Sequence, residues 1–280
     1  MMEHINWYPG HMKKTRELIA ENLKMVDIVI EVIDARIPVS SRNPIIDELV
    51  KSKRRLIILN KSDLSDPKAN EAWAETFKKQ GNLVLTMNCM TGIGVGQLYK
   101  LLSRLQDEKN EGQLRKKSLR MMIVGVPNVG KSSLINRMTG KKSAKTGDRP
   151  GVTKGKQWLG LENGMQLLDT PGILWPKFED PQVGLNLAFC GSIKDEILDT
   201  ASLALELIKV LQRDYPQLLR ERYKLDELDE DALVNMEVIA AKRGFILPGK
   251  RIDYERCART LLDEFRSGKI GNITLEKVQA

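Results

Sequence analysis

The chain has 280 residues and a mass of 31.7 kDa, which at ~100–200 residues per domain predicts two domains with enough sequence for a sizeable core. Hydrophobic residues make up 41% and charged residues 29%, a balance that excludes wholesale disorder, and no apolar run approaches the ~18 residues that cross a bilayer. The start, MMEHINWYPGHMKK, has neither the apolar core of a secretion signal nor the look of an organelle transit peptide, so a cytosolic protein with no membrane partner is expected. Three scattered cysteines (Cys89, Cys190, Cys257) and two histidines (His4, His11) offer no disulfide framework and no zinc spacing. Lys plus Arg outnumber Asp plus Glu by 45 to 37, which suits a nucleic-acid partner without demanding one.

In chain order, short β-rich apolar runs alternate with helical stretches: Ile28–Ala35, Arg55–Asn60, Leu83–Asn88, Arg120–Gly125 and Met165–Asp169. The alternation predicts an α/β fold, a doubly wound and mostly parallel sheet with its ligand at the carboxyl ends of the strands. The second run ends in Asn60-Lys61-Ser62-Asp63. A carboxylate at Asp63 accepts two N–H bonds from a guanine edge, a bidentate pair that adenine does not reproduce, while Asn60 buttresses the phosphate loop and the Lys61 stem covers the base plane. The third run ends in Asn88-Cys89-Met90-Thr91-Gly92, where a backbone N–H is placed to meet the guanine carbonyl or simply to close a strand-end turn. The polar interval Gln106–Ser118 reads as a linker.

The fourth run leads into GVPNVGKS, Gly125–Ser132, between an apolar strand and a helical segment. This is the strand–loop–helix setting in which glycines let consecutive N–H groups face a phosphate. Asn128, Val129, Gly130, Lys131, Ser132 and Ser133 are the expected nucleotide contacts, with Lys131 bridging the β- and γ-phosphates and the Ser132 hydroxyl on Mg²⁺. Arg137, Lys141, Lys142, Lys145, Arg149, Lys154 and Lys156 then form a basic cluster, readable as an RNA-phosphate sensor or as a solvated loop. Within it Thr153 is the candidate switch threonine that closes over Mg²⁺ and the γ-phosphate, the other reading being a turn threonine. Of two D-x-x-G matches, only Asp169–Gly172 ends an apolar strand, so Asp169 is assigned to Mg²⁺ and the Gly172 N–H to the γ-phosphate.

Residues 1–176 carry 29 basic and 18 acidic side chains, and residues 177–280 carry 16 and 19, which predicts a nucleotide-binding domain followed by a smaller, mainly helical one. Asp195–Arg213 repeats apolar residues at helical spacing, Leu225–Asp231 is an acidic stretch suited to opening a helix, and Asp253–Ser267 has an Asp cap and Gly268 beyond its end. Lys242, Arg243, Lys250, Arg251, Arg256, Arg259 and Arg266 make a candidate RNA-facing patch. Aromatics are sparse, so contacts to backbone phosphate are expected rather than stacking.

The base-reading motif precedes the phosphate loop, the reverse of the usual small GTPase order. With the leading Trp7–Thr15 segment WYPGHMKKT, the Asp34–Pro38 segment DARIP and a helical tail after DTPG, the chain resembles the circularly permuted GTPases and, more closely, the ribosome biogenesis GTPase A (RbgA, YlqF) family. The resemblance implies a permuted P-loop GTPase domain over residues 1–176 and an RNA-binding helical domain over 177–280. It also implies GTP hydrolysis coupled to late assembly of the large ribosomal subunit, stimulated by that particle, by a protein monomeric off the ribosome. Ile173 stands where a water-orienting glutamine is often found, and it neither accepts nor donates a hydrogen bond. The resemblance assigns that catalytic role to His11, beside Lys131 and Thr153, and makes Asn128 a candidate K⁺ ligand. Two other readings stand beside it: a small-subunit assembly GTPase, and a nucleotide-gated RNA-binding switch with negligible hydrolysis, which Ile173 favours.

Overall fold

Every residue of the strand Ile28–Asp34 (β1) is buried, and strands on both sides run parallel to it: Arg54–Asn60 (β2) and Arg120–Val124 (β4). A parallel strand covered on both faces needs apolar residues at successive positions, which accounts for the apolar run in the sequence, interrupted at Glu31, whose buried carboxylate pairs with Arg55 and Arg42. The computed structural model describes residues 12–140, 157–161, 163–169 and 178–278. Within these, Leu83–Thr86 (β3) pairs with β2, Gln166–Asp169 (β6) with β4, and Gln157–Gly160 (β5) antiparallel with β6, giving the order β3-β2-β1-β4-β6-β5. From β1 the chain steps outward to β3 and then returns to the other side of β1 as β4. A crevice therefore opens beyond the carboxyl ends of β1 and β4, the switch point at which open α/β sheets take ligands.

Alternate residues of β1 point to opposite layers. Ile28, Ile30 and Val32 join the core formed with Val95–Asn110 (α4) and Lys131–Thr139 (α5); Val29 and Ile33 face Met12–Leu23 (α1), Pro44–Val50 (α2) and Pro67–Lys79 (α3). Leu98, Leu102 and Leu105 are the buried stripe of α4 at helical spacing. In α2 and α3 a side-chain cap precedes a proline: Asn43 accepts the Ile45 N–H at 2.9 Å and Asp66 the Lys68 N–H at 2.8 Å. The expected linker is shorter than its composition implied. Gln106–Asn110 continues α4 because its Gln, Asp, Glu and Lys are tolerant helix residues and no glycine intervenes before Gly112. The rest is pinned, with Lys109 donating to Asp27 at 2.6 Å and to the Ser118 carbonyl at 2.7 Å.

The chain continues as Pro181–Phe189 (α6), a 3-10 turn Asp195–Ile197, Thr200–Asp214 (α7), Pro216–Tyr223 (α8), Ala232–Lys242 (α9), a small hairpin Ile246–Leu247 (β7) and Arg251–Ile252 (β8), and Tyr254–Arg266 (α10). The helix expected from Asp195 starts five residues later. Asp199 accepts the Ala201 and Ser202 N–H groups at 3.1 and 3.2 Å, and that cap sets the start of α7. The other two expected helix starts agree with the structure, capped by Asp231 and Asp253. The apolar interior is continuous from the sheet through Leu187, Leu207, Ile239 and Leu261 of these helices. Among the described residues no helix is long and apolar enough to cross a membrane.

After α10 the chain crosses back over the loops that leave β1 and β2. Ile273 donates to the Leu64 carbonyl at 3.0 Å and Leu275 to the Arg36 carbonyl at 2.8 Å, and the Trp73 indole donates to the Glu276 carbonyl at 2.8 Å. The Glu276 carboxylate accepts the Val39 and Ser40 N–H groups, the Ser40 hydroxyl and the Asn186 amide. Burial nonetheless holds its pKa above the ordinary value. Glu276→Ala removes the acceptor of the buried Ser40 N–H and hydroxyl groups and one acceptor of the buried Asn186 amide, and is expected to destabilise the chain by about 1–3 kcal/mol in urea unfolding, with Glu276→Gln less damaging.

Candidate functional site

β4 delivers the chain to a loop whose backbone is fixed by its neighbours. Gly125 and Gly130 sit at φ 149° and 101°, and a Cβ on either would collide, with the Val32 carbonyl of β1 and with the Asn60 side chain respectively. Glycine is required at both. Asn128 in this loop and Lys61 in the loop after β2 take left-handed φ values of 59° and 60°, strained for non-glycine residues and of the kind that clusters at ligand sites. Lys131 opens α5 with its side chain largely buried, and its Nζ donates to the Val126 carbonyl at 2.7 Å. Its charge thus lies within the curl of the loop, where N–H groups and a helix N-terminus favour an anion. Ser132 and Ser133 line the same cleft.

Asn60 ties the three loops together. It is 2% exposed; its Nδ2 donates to the Val129 carbonyl at 2.6 Å and its Oδ1 accepts the Cys89 N–H at 2.9 Å. The first bond is the buttress expected from sequence; the second was not read there. It consumes the Cys89 N–H, so that group is not available to a base, and burial pushes the Cys89 thiol up to about 12, leaving an unreactive strut. The Asn88 carboxamide is also committed locally, accepting the Met90 and Thr91 N–H groups at 2.9 and 3.0 Å in an Asx turn. Asp63 stands exposed on the cleft wall beside Lys61.

Below this loop lies a buried charge cluster whose roles the sequence reading did not assign. Asp34, at the end of β1, accepts from Arg36 Nε at 3.0 Å and Nη2 at 2.8 Å, and pairs with Lys61 Nζ at 2.8 Å. Arg36 is 1% exposed, lies over the Phe265 ring, and points Nη1 at the last carbonyls of α10, Phe265 and Arg266. A cation at a helix C-terminus complements its dipole. Burial acts to raise the Asp34 carboxyl, but Arg36 and then Lys61 overcome it and hold the group well below its ordinary 3.8. With the folded value below the unfolded one, this stabilisation is complete above about pH 4 and is lost as the pH falls toward the folded value. Asp34→Asn should flatten that acid limb and, by leaving a buried guanidinium unpaired, cost about 3–5 kcal/mol in urea unfolding at pH 7.

The second part of the chain forms the opposite wall. Asn128 Nδ2 donates to the Gly191 carbonyl at 2.6 Å and the Ser192 hydroxyl to the Pro127 carbonyl at 2.9 Å, so the turn after α6 is bonded directly to the phosphate loop. Together the two parts enclose a cleft of about 790 Å³ lined by Asn60, Lys61, Asp63, Asn128, Gly130, Lys131, Ser132 and Ser133 on one side and by Cys190, Gly191, Ile193, Lys194, Asp195, Asp263 and Arg266 on the other. That volume lies within the ~300–1,000 Å³ range of small-molecule sites.

His11, Thr153 and Gly172 lie outside the described residues, as does all of the basic cluster except Arg137, whose guanidinium donates to the Met90 carbonyl. Asp169 ends β6, next to β4, with its side chain outside the described residues. Lys242, Arg243, Lys250, Arg251, Arg256 and Arg259 are exposed. Arg266 does not join them. It donates to the Ala188 and Phe189 carbonyls at 2.8 and 3.0 Å and clamps both oxygens of Asp195 at 2.6 and 2.8 Å, because it emerges from the end of α10 beside the end of α6. That commitment turns it into the cleft and away from the other six. Asp63→Asn should cut GDP affinity by about 10²-fold or more in a calorimetric titration, because a donor then opposes the guanine N–H donors. A xanthine nucleotide, with a carbonyl at that edge, should lose far less.

Comparison with known proteins agrees with this geometry. The RsgA GTPase family matches residues 10–179, and the family described as 50S ribosome-binding GTPase matches residues 120–242. A ribosome biogenesis GTPase A from Priestia megaterium is 46% identical over 97% of this chain and 96% of its own length. Among solved structures, a GDP-bound YlqF superposes with a TM-score of 0.71 at 31% identity, covering 94% of this chain and 100% of that one. A GNP-bound YlqF from T. maritima superposes at 0.66 and 30% identity, covering 94% and 98%. The phosphate loop after β4, the base loop after β2 and the permuted order that brings them together are thus the parts of a GTPase, and the chain belongs to the ribosome biogenesis GTPase A family.

Proposed function

We propose that this protein hydrolyses GTP during late assembly of the large ribosomal subunit, in the cytosol, as a monomer that the precursor particle stimulates. The observation that carries the reading is the shared cleft: the turn after α6 is hydrogen-bonded to the phosphate loop through Asn128 and Ser192. A particle that docks on the helical part therefore acts on the nucleotide loops without an intermediary. The match to the 50S ribosome-binding GTPase family over residues 120–242 supports the choice of subunit. Lys242, Arg243, Lys250, Arg251, Arg256 and Arg259 are the groups proposed for rRNA phosphates. Several are already oriented, Arg256 over the Phe245 ring at 4.8 Å and Arg243 over Tyr223 at 5.3 Å, which lowers the entropy lost on docking.

In the cleft, Lys131 and the N–H groups of Val129–Ser132 take the phosphates, and Asp63 selects guanine. Ser132, in the first turn of α5 after the loop that leaves β4, and Asp169, at the carboxyl end of the adjacent strand β6, would supply hard oxygen donors of the kind Mg²⁺ requires, with Thr153 closing over it. Bound there, Mg²⁺ neutralises charge developing on the phosphate oxygens. Asn128 gives its Nδ2 to Gly191 and keeps Oδ1 as an acceptor for K⁺. His11 orients the attacking water in place of the side chain that Ile173 lacks.

Turnover measured alone, with large subunits and with small subunits should rise with the large subunit only. Stimulation by the small subunit would move the protein to that particle, and GTP-dependent binding without turnover would make it a switch. His11→Ala is expected to keep GTP affinity and lose about 10²-fold or more in stimulated rate, as for removal of a general base or water-positioning group. Rates equal in K⁺ and Na⁺ would remove K⁺ from the site.

A further inference from the structure

We propose that Lys194, in the turn after α6, is a nucleotide-binding residue that the helical part contributes to the GTP site, pairing with a phosphate oxygen of the bound guanosine di- or triphosphate. The argument starts from the cations of the cleft. Apart from the phosphate-loop lysine, Arg36, Lys61, Lys194 and Arg266 line it. Three of these are committed: Arg36 and Lys61 to Asp34, and Arg266 to Asp195 and two carbonyls. Among the described residues no carboxylate pairs with Lys194, although it is half-buried in the cleft wall. A partly desolvated ammonium without a counter-ion is costly unless a ligand supplies the charge.

The position of Lys194 is fixed from both sides. Before it, Ser192 and Ile193 are buried, and the Ser192 hydroxyl holds the Pro127 carbonyl of the phosphate loop. After it, Asp195 is gripped by both terminal nitrogens of Arg266. The backbone between these anchors is placed at the cleft, next to Gly191, whose carbonyl holds Asn128 of the phosphate loop. The flexible stem of Lys194 therefore has a fixed root at the phosphate end, and the chemistry that fits it there is an anionic oxygen. Of the other carboxylates of the cleft, Asp63 is assigned to the base and Asp263 is exposed on α10, and neither forms an ion pair with Lys194 among the described residues.

The test is calorimetric titration of the full chain with GDP and with guanosine, wild type alongside Lys194→Ala, Lys194→Gln and Lys194→Arg. Wild-type binding of GDP establishes the site itself, so its failure would be distinct from failure of the proposal. A phosphate contact predicts that Ala and Gln weaken GDP about tenfold, the order expected of one charge-assisted bond at a half-exposed group, while guanosine affinity stays unchanged and Arg restores most of the loss. Urea midpoints equal to wild type exclude a folding defect. GDP affinity within twofold of wild type in the Ala and Gln variants overturns the proposal, even if ribosome binding falls, because the lysine would then serve an RNA phosphate. An equal loss for guanosine and GDP also overturns it, placing Lys194 on the nucleoside.

Discussion

The nucleotide site depends on one buried carboxamide. Asn60 donates to the phosphate loop at Val129 and accepts from the base-side loop at Cys89, while standing at the start of the loop that carries Asp63. Three segments distant in sequence are thereby held in register by a group with only two described bonds, both satisfied. No apolar residue of similar shape replaces it, since each bond it makes covers a backbone group that would otherwise be buried unpaired. The glycine at 130 follows from the same contact, because the carboxamide occupies the space a Cβ would need.

A second layer of polar contacts extends this register into the helices. Arg36 leaves the end of β1, neutralises Asp34 and points at the final carbonyls of α10; Arg266 leaves the end of α10, covers the final carbonyls of α6 and neutralises Asp195. Each arginine thus complements a helix C-terminus and holds a carboxylate at once. The contacts form a relay from the sheet edge to the turn that carries Lys194. The crossing back of 273–278 adds a third tie, bonding the base loop at Leu64 and Asp66. Nucleotide loops and helical part are consequently bonded to one another across the cleft.

The strain in the loops fits that arrangement. Asn128 and Lys61 hold left-handed backbone conformations, and each is fixed by a side-chain bond to another part of the chain, Asn128 to Gly191 and Lys61 to Asp34. Tertiary bonds over-determine the two conformations, which is the condition under which such strain persists.

The features legible in the sequence are those with a local cause. The phosphate loop needs glycines at Gly125 and Gly130 for close approach, the strands need apolar runs to be covered on both faces, and Asp253 stands directly before the helix it caps; local pattern reveals each of these. Even here local competition moved boundaries, as Asp199 took over the start of α7 and Gln106–Asn110 stayed helical. What only the tertiary structure decided lies in long-range pairs: Asn60 with Cys89, Asn128 with Gly191, Asn186 with Glu276, and Arg36 with Phe265 across 229 residues. Such bonds have no period and no turn signature, because each partner is chosen by where packing brings the backbone. The sequence by itself therefore determined the chemistry of the nucleotide site, while the packed structure decided that the helical part would form its other wall.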